Sequence, residues 1–163
     1  DNIIYPNLAN AAASHGANLV IAPDSDTINF GSSFWNNLNE DTDTFIAWCW
    51  HSVEGYSKVG FYEGNGNVDG TFVYTGFSPA WVMIKNADDT SGWVMYDNKR
   101  DTYNAVGQVL YADTNGAESD TRPRADFLSN GFKLRSATEP NWGGDRIIYM
   151  SFAETPFKYA NSR

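Results

Sequence analysis

The sequence predicts an all-β protein, an antiparallel β-sandwich of jelly-roll or lectin-like type. Three observations carry that expectation. Short runs rich in β-branched and aromatic residues recur along the chain, several alternating apolar and polar as half-buried strands do. Gly, Asn, Asp and Ser punctuate the intervals between them. No long amphipathic helices alternate with the strands, as a parallel α/β sheet would require.

Taken in order, residues 8–14 form an alanine-rich cluster followed by Gly16, which predicts at most one or two helical turns. So short a helix does not offset its own nucleation cost. Residues 44–51, which include Trp48, Cys49 and Trp50, read as an apolar strand. The Gly/Asn-rich stretch 63–70 reads as a loop leading into a strand over 71–75. Residues 80–85 and 93–97 read as a β-hairpin around the polar turn 88–92. Residues 131–135 alternate Phe132 and Leu134 with Lys133 and Arg135, the pattern of a half-buried strand. Residues 146–152 form the last strong run, either covered on both faces or flanked by aromatics.

Composition narrows the function. The chain has 163 residues, enough for one ordinary domain or two small ones. A net charge of -9 argues against a nucleic-acid partner, which needs a clustered cationic excess. No apolar run approaches the roughly 18 residues of a membrane span, so membrane insertion is not expected. With a single Cys there is no internal disulfide, so the core must hold the fold. The first residue is Asp1, not Met, and the sequence reads as a processed product, a fragment or a portion of a longer protein.

Three short stretches recur in order about a hundred residues apart: 4–7 with 110–113, 27–30 with 131–134, and 43–50 with 145–152. Read as a repeat, residues 1–55 are the C-terminal half of a preceding sandwich unit, and residues 56–163 are a complete unit with a C-terminal tail. The alternative is shared β composition. A half unit exposes strand edges and an open core, so the N-terminal part is expected either to pack on the full unit or to be completed by another chain.

Four strings carry a family resemblance: FIAWCWHS at 45–52, FVYTGFSPAWVMIK at 72–85, DFLSNGFKL at 126–134 and FAETPF at 152–157. As a set they resemble an uncharacterised domain family of tailed-bacteriophage proteins, found in marine phage genomes, often in repeated copies, and described as tail or virion structural proteins. The resemblance implies a non-enzymatic virion protein, most simply a tail or tail-fibre module for host-surface attachment. A capsid-surface decoration or assembly protein is the alternative, and a polysaccharide-degrading enzyme a more distant one. It implies other virion subunits as partners, a homo-oligomer among them, with a host-surface glycan as ligand. It brings no catalytic residue, no cofactor and no metal.

The residues themselves offer few centres of chemistry. His15 and His51 stand alone, without metal-ligand spacing. Cys49 between two tryptophans reads as a buried, inert thiol. Asp97, Glu118 and Asp126 are candidates for a glycosidase carboxylate pair, but 20 acidic residues supply such pairs by chance. Asn65, Asn67 and Asp69 are weak calcium candidates, in a loop that lacks the EF-hand spacing and reads equally as a plain turn. Most of the tryptophans are expected in the core. Trp35 and Trp142, the latter beside Asn141, sit instead in polar loops, where they either stack on a sugar or an interface, or lid the end of the core.

Overall fold

The computed structural model describes residues 2–14, 20–21, 29–30, 44, 46–119 and 124–157. The chain divides into two compact units, one of Asp1–Ile4 with Ala12–Cys49, the other of Tyr5–Ala11 with Trp50–Arg163. In the first, β1 (Asn2–Ile3) pairs antiparallel with β2 (Ala13–Ser14), and β3 (Val20–Ile21) with β4 (Asn29–Phe30).

The second unit is a β-sandwich. Its strands are β5 (Ser57–Glu63), β6 (Phe72–Tyr74), β7 (Pro79–Asn86), β8 (Val94–Asp97), β9 (Leu110–Tyr111), β10 (Ala125–Leu128), β11 (Gly131–Leu134) and β12 (Arg146–Ala153). One sheet runs in the order β5-β12-β7-β8-β9 and the other β10-β11-β6, and every pairing is antiparallel. The chain is therefore all-β, with no helix among the described residues.

Period-two alternation builds the core. Val82 and Ile84 of β7, Val94 and Tyr96 of β8, and Ile147 and Tyr149 of β12 are buried, as are Val73, Phe132 and Leu134 from the other sheet. Phe132 meets Tyr149 edge-on at 5.5 Å and Tyr62 edge-on at 6.2 Å, a geometry aromatic pairs favour. On β5, Gly60 lies directly opposite Tyr149, whose ring stands 3.2 Å from where a Cβ on Gly60 would be.

The expected hairpin is present, with Ile84 opposite Val94 and Trp81 opposite Asp97. The run at 146–152 is an interior strand of its sheet, paired on both sides. Other expectations are corrected. Residues 8–14 contain no helical turn; Pro6 and Asn7 make a turn, and Ala13–Ser14 is a strand. Residues 46–50 are irregular and exposed, with Ile46 79% and Trp48 76% accessible, so this segment does not share the conformation of its matched stretch 145–152. Apolar composition alone does not make a strand without a pairing partner. Nor do the described tryptophans enter the core: Trp81 has the parity opposite to Val82 and Ile84, and buried tyrosines with Phe132 take the expected place.

That opposite parity gives the five-stranded sheet an outer face carrying the chain's three methionines in one row, Met150 beside Met83 and Met83 beside Met95. The segment Tyr5–Ala11 crosses the Lys85–Trp93 end of this unit. Trp93 Nε1 donates to the Tyr5 carbonyl at 2.9 Å, and Ser91 N–H donates to that of Ala9 at 2.9 Å. The fully buried Lys85 amine donates to the carbonyls of Asn86 at 2.6 Å, Ala9 at 3.3 Å and Asp89 at 3.4 Å.

Side chains occupy the outer edges of β5 and β10. On β5 the Ser52 hydroxyl bonds both main-chain groups of Val59, Thr71 Oγ1 donates to the Glu63 carbonyl, and Ser57 is bridged to Val53. On β10 the Asn104 amide bonds both main-chain groups of Phe127. Such caps close edges that otherwise recruit foreign strands.

Candidate functional site

The two ends of the sandwich differ in kind. At one end lie the loops 64–71, 87–93 and 135–145. Four of the residues singled out from the sequence meet here, and they spend their polar atoms on one another. Asn141 is fully buried. Its Oδ1 accepts from Asn65 N–H at 3.1 Å, and its Nδ2 reaches Asn65 Oδ1 at 2.7 Å, the Ser136 carbonyl at 2.8 Å and the Asn67 carbonyl at 2.9 Å. Asn65 Oδ1 also accepts from Asn67 N–H, and Asn67 Oδ1 from Asp69 N–H. Asp69 is exposed and paired with Lys133 at 2.9 Å, whose hydrogen bond and charge hold its carboxyl below the usual range. The oxygens of Asn65, Asn67 and Asp69 thus face N–H donors and an ammonium, an arrangement for fastening a loop and not for holding a cation. Asn141 is a structural knot with no surface to offer a ligand. Trp142 is half-buried beside it, and its carbonyl packs against Gly64 where any Cβ would intrude.

The remaining sequence candidates lie elsewhere. Trp35 and His15 fall outside the described residues. His51 is exposed, with Nδ1 3.0 Å from the Ser52 carbonyl oxygen. Cys49 is exposed, not buried, because its segment is not a strand. Asp97 and Glu118 are both held on Arg100, and Asp126 on Arg135. Burial opposes ionisation of Asp97, but the Arg100 and Lys99 N–H groups and the guanidinium outweigh it and hold the carboxyl below its usual range. That is the wrong direction for a general acid. Among the described residues no three His, Cys, Asp or Glu side chains gather as metal ligands.

The opposite end carries the open surface. Here the start of β5, the end of β12, the start of β7 and the end of β8 lie side by side, as the pairings Phe152–Ser57, Phe152–Trp81 and Trp81–Asp97 require. The turn from β6 to β7, residues 75–78, crosses this end and separates two clefts. The larger, about 320 Å³, is lined on one side by Tyr74, Thr75 and Gly76, and on the other by Ser52, Glu54 and Lys58. The second, about 300 Å³, is lined by Ser78 and by Lys99, Asp101, Thr102, Tyr103 and Glu154. Each cleft has one exposed tyrosine, Tyr74 at 64% and Tyr103 at 86% accessible. Each also pairs cation with carboxylate: Lys99 stands 3.7 Å from Glu154, and Lys58 shares its cleft with Glu54.

The dividing turn is fixed. Phe77 is buried, the Thr75 hydroxyl donates to the Phe77 carbonyl at 2.7 Å, and Gly76 has φ +87°, a left-handed conformation that suits glycine. Beside the clefts, Phe157 stacks on Tyr56 at 5.4 Å, and Tyr56 meets Phe152 edge-on at 5.8 Å, so the C-terminal segment folds back on this end through residue 157. Nothing in sequence spacing announces these clefts, whose lining residues come from five separate stretches of chain.

Against known proteins, the family model described as "Domain of unknown function (DUF7483)" matches residues 1–156, and the chain belongs to that family. No curated protein and no solved structure matches it.

Proposed function

We propose that this member of the DUF7483 family is a non-enzymatic structural protein of a tailed-phage particle, a tail or tail-fibre module for attachment to the host surface. The phage setting rests on the four strings quoted from residues 45–157. The observation that carries attachment is the end of the sandwich with two open clefts, each with an accessible tyrosine ring and a lysine facing carboxylate. A β-sandwich presents its loops at its ends on a rigid scaffold, which suits recognition. Gold-labelled antibody on intact particles tests the proposal. Label at the tail or fibre tip is the expected result.

One observation favours the second reading, decoration or assembly at the capsid surface. Ile46, Trp48 and Trp50 are exposed within five residues, and a cluster of that kind marks contact with sister subunits. Label spread over the head would select it.

A further inference from the structure

The two clefts share an end, a dividing turn and a composition, and we infer that together they form a two-subsite groove for a neutral polysaccharide strand, one sugar ring to each cleft. The inference rests on the attachment reading above and names the ligand class that attachment grips.

Size sets the first constraint. At about 300 and 320 Å³, both clefts lie at the bottom of the range for small-molecule sites. Each accommodates one small ring, so a ligand that uses both must be a chain of such rings. The fixed turn between them holds the subsites at a constant separation, which suits a stiff repeating polymer.

Chemistry sets the second. A sugar ring presents an apolar C–H face and a rim of hydroxyls that both donate and accept. Tyr103 and Tyr74 each supply an accessible aromatic face. Around Tyr103 the Thr102 hydroxyl and the Glu154 carboxylate meet the rim; around Tyr74, Glu54 and Lys58 do so.

Charge sets the third. In the Tyr74 cleft Lys58 is offset by Glu54, in the Tyr103 cleft Lys99 faces both Glu154 and Asp101, and the chain as a whole carries -9, so neither cleft is cationic. Acidic polysaccharides and phosphate-rich surfaces are repelled, and a neutral chain is not. An extended peptide is the other polymer to weigh at such an end. Its usual mode is strand addition; the edges of β5 and β10 are capped by Ser52 on Val59 and by Asn104 on Phe127, and β6, the other edge strand here, is only three residues long.

The test is affinity electrophoresis of the full 163-residue chain in native gels containing dextran, mannan or laminarin, with alginate as the acidic polymer. Retardation by at least one neutral polysaccharide and none by alginate is expected. Tyr74→Ala and Tyr103→Ala should each weaken it about tenfold, and the double substitution should abolish it. Tyr→Phe at both positions should preserve it, since the ring face is kept. Both rings are exposed, and an unchanged far-UV spectrum and unfolding midpoint in each variant separates lost contact from lost fold. The inference is overturned by retardation that survives the double substitution, by retardation in alginate alone, or by none in any neutral gel. Antibody label decides the attachment reading separately: tail label with an unaffected double variant removes the groove and leaves attachment standing, whereas head label removes attachment.

Discussion

The carboxamide of Asn104 pairs with both main-chain groups of Phe127: Oδ1 accepts from the N–H at 2.8 Å, and Nδ2 donates to the carbonyl at 2.8 Å. One side chain thus mimics a neighbouring strand on the outer edge of β10. Asn104→Ala removes both bonds at a solvent-accessible position, and a loss of about 1–2 kcal/mol is expected from the shift in urea midpoint. Asn104→Asp keeps the acceptor and loses the donor, and should fall between the two. An unchanged midpoint in the alanine variant would show that water replaces the cap at no cost.

Asn141 is more deeply committed. Its removal leaves the buried Ser136 carbonyl and the 65–67 loop without their partner. Asn141→Ala should cost about 2–4 kcal/mol, more than a single exposed bond, because buried partners are orphaned together. Equilibrium urea unfolding measures it. Binding at the clefts should be untouched in the folded fraction, since they lie at the other end.

Gly60 and Tyr149 form a matched pair across β5 and β12. Gly60→Val forces a branched side chain into the ring and should destabilise by about 1–3 kcal/mol. The same substitution in a Tyr149→Ala background should cost much less. A double-mutant cycle with additive effects would refute the coupling.

The Tyr96 hydroxyl is buried without a partner. Tyr96→Phe keeps the ring and removes the orphaned group, so it should be neutral or stabilise by up to about 1 kcal/mol, unlike most core substitutions. A loss exceeding about 1 kcal/mol in thermal unfolding would mean that the hydroxyl is satisfied in solution.

Alkaline stability follows from the tyrosines. Burial raises the pKa of Tyr62, Tyr96, Tyr111 and Tyr149; at Tyr111 the hydrogen bond to Glu139 adds to burial and takes it to about 12. A folded pKa above the unfolded value means stability that is full below about pH 10 and lost as pH rises through the folded value. Lys85 acts oppositely: burial lowers its pKa, so its contribution improves as pH rises toward about 10.5. The four tyrosines should therefore dominate above pH 10. Absorbance at the phenolate band should show them titrating in one cooperative step with unfolding, and independent titration of all four in the folded state would contradict this.

Legibility in the sequence followed locality. The hairpin of residues 79–97 and the β12 run were readable because alternation and turn chemistry are local signals. Strand β5 was not, because Gly60 and Lys58 interrupt its apolar pattern and only the Tyr149 ring across the sheet explains the glycine. The Trp48 segment misled because an apolar run looks the same with or without a partner strand. The asparagine knot joins residues 76 apart, and the clefts join Ser78, Tyr103 and Glu154. Spacing along the chain carries no trace of either; strand ends create both.

The strand of contacts from Tyr5 and Ala9 to Trp93 and Lys85 bears on how this protein is cut and shuffled. The sandwich counts Tyr5–Ala11 among its own residues, although 38 positions separate that segment from Trp50. A cut just before Trp50 does not yield the sandwich intact: a fragment starting at 50 leaves the Lys85 amine short of one carbonyl and the Trp93 indole short of its acceptor. Recombination that exchanges this module between genes must therefore carry both stretches together, and a laboratory fragment intended to isolate it needs residues 5–11 restored, in cis through a short linker or in trans as a peptide.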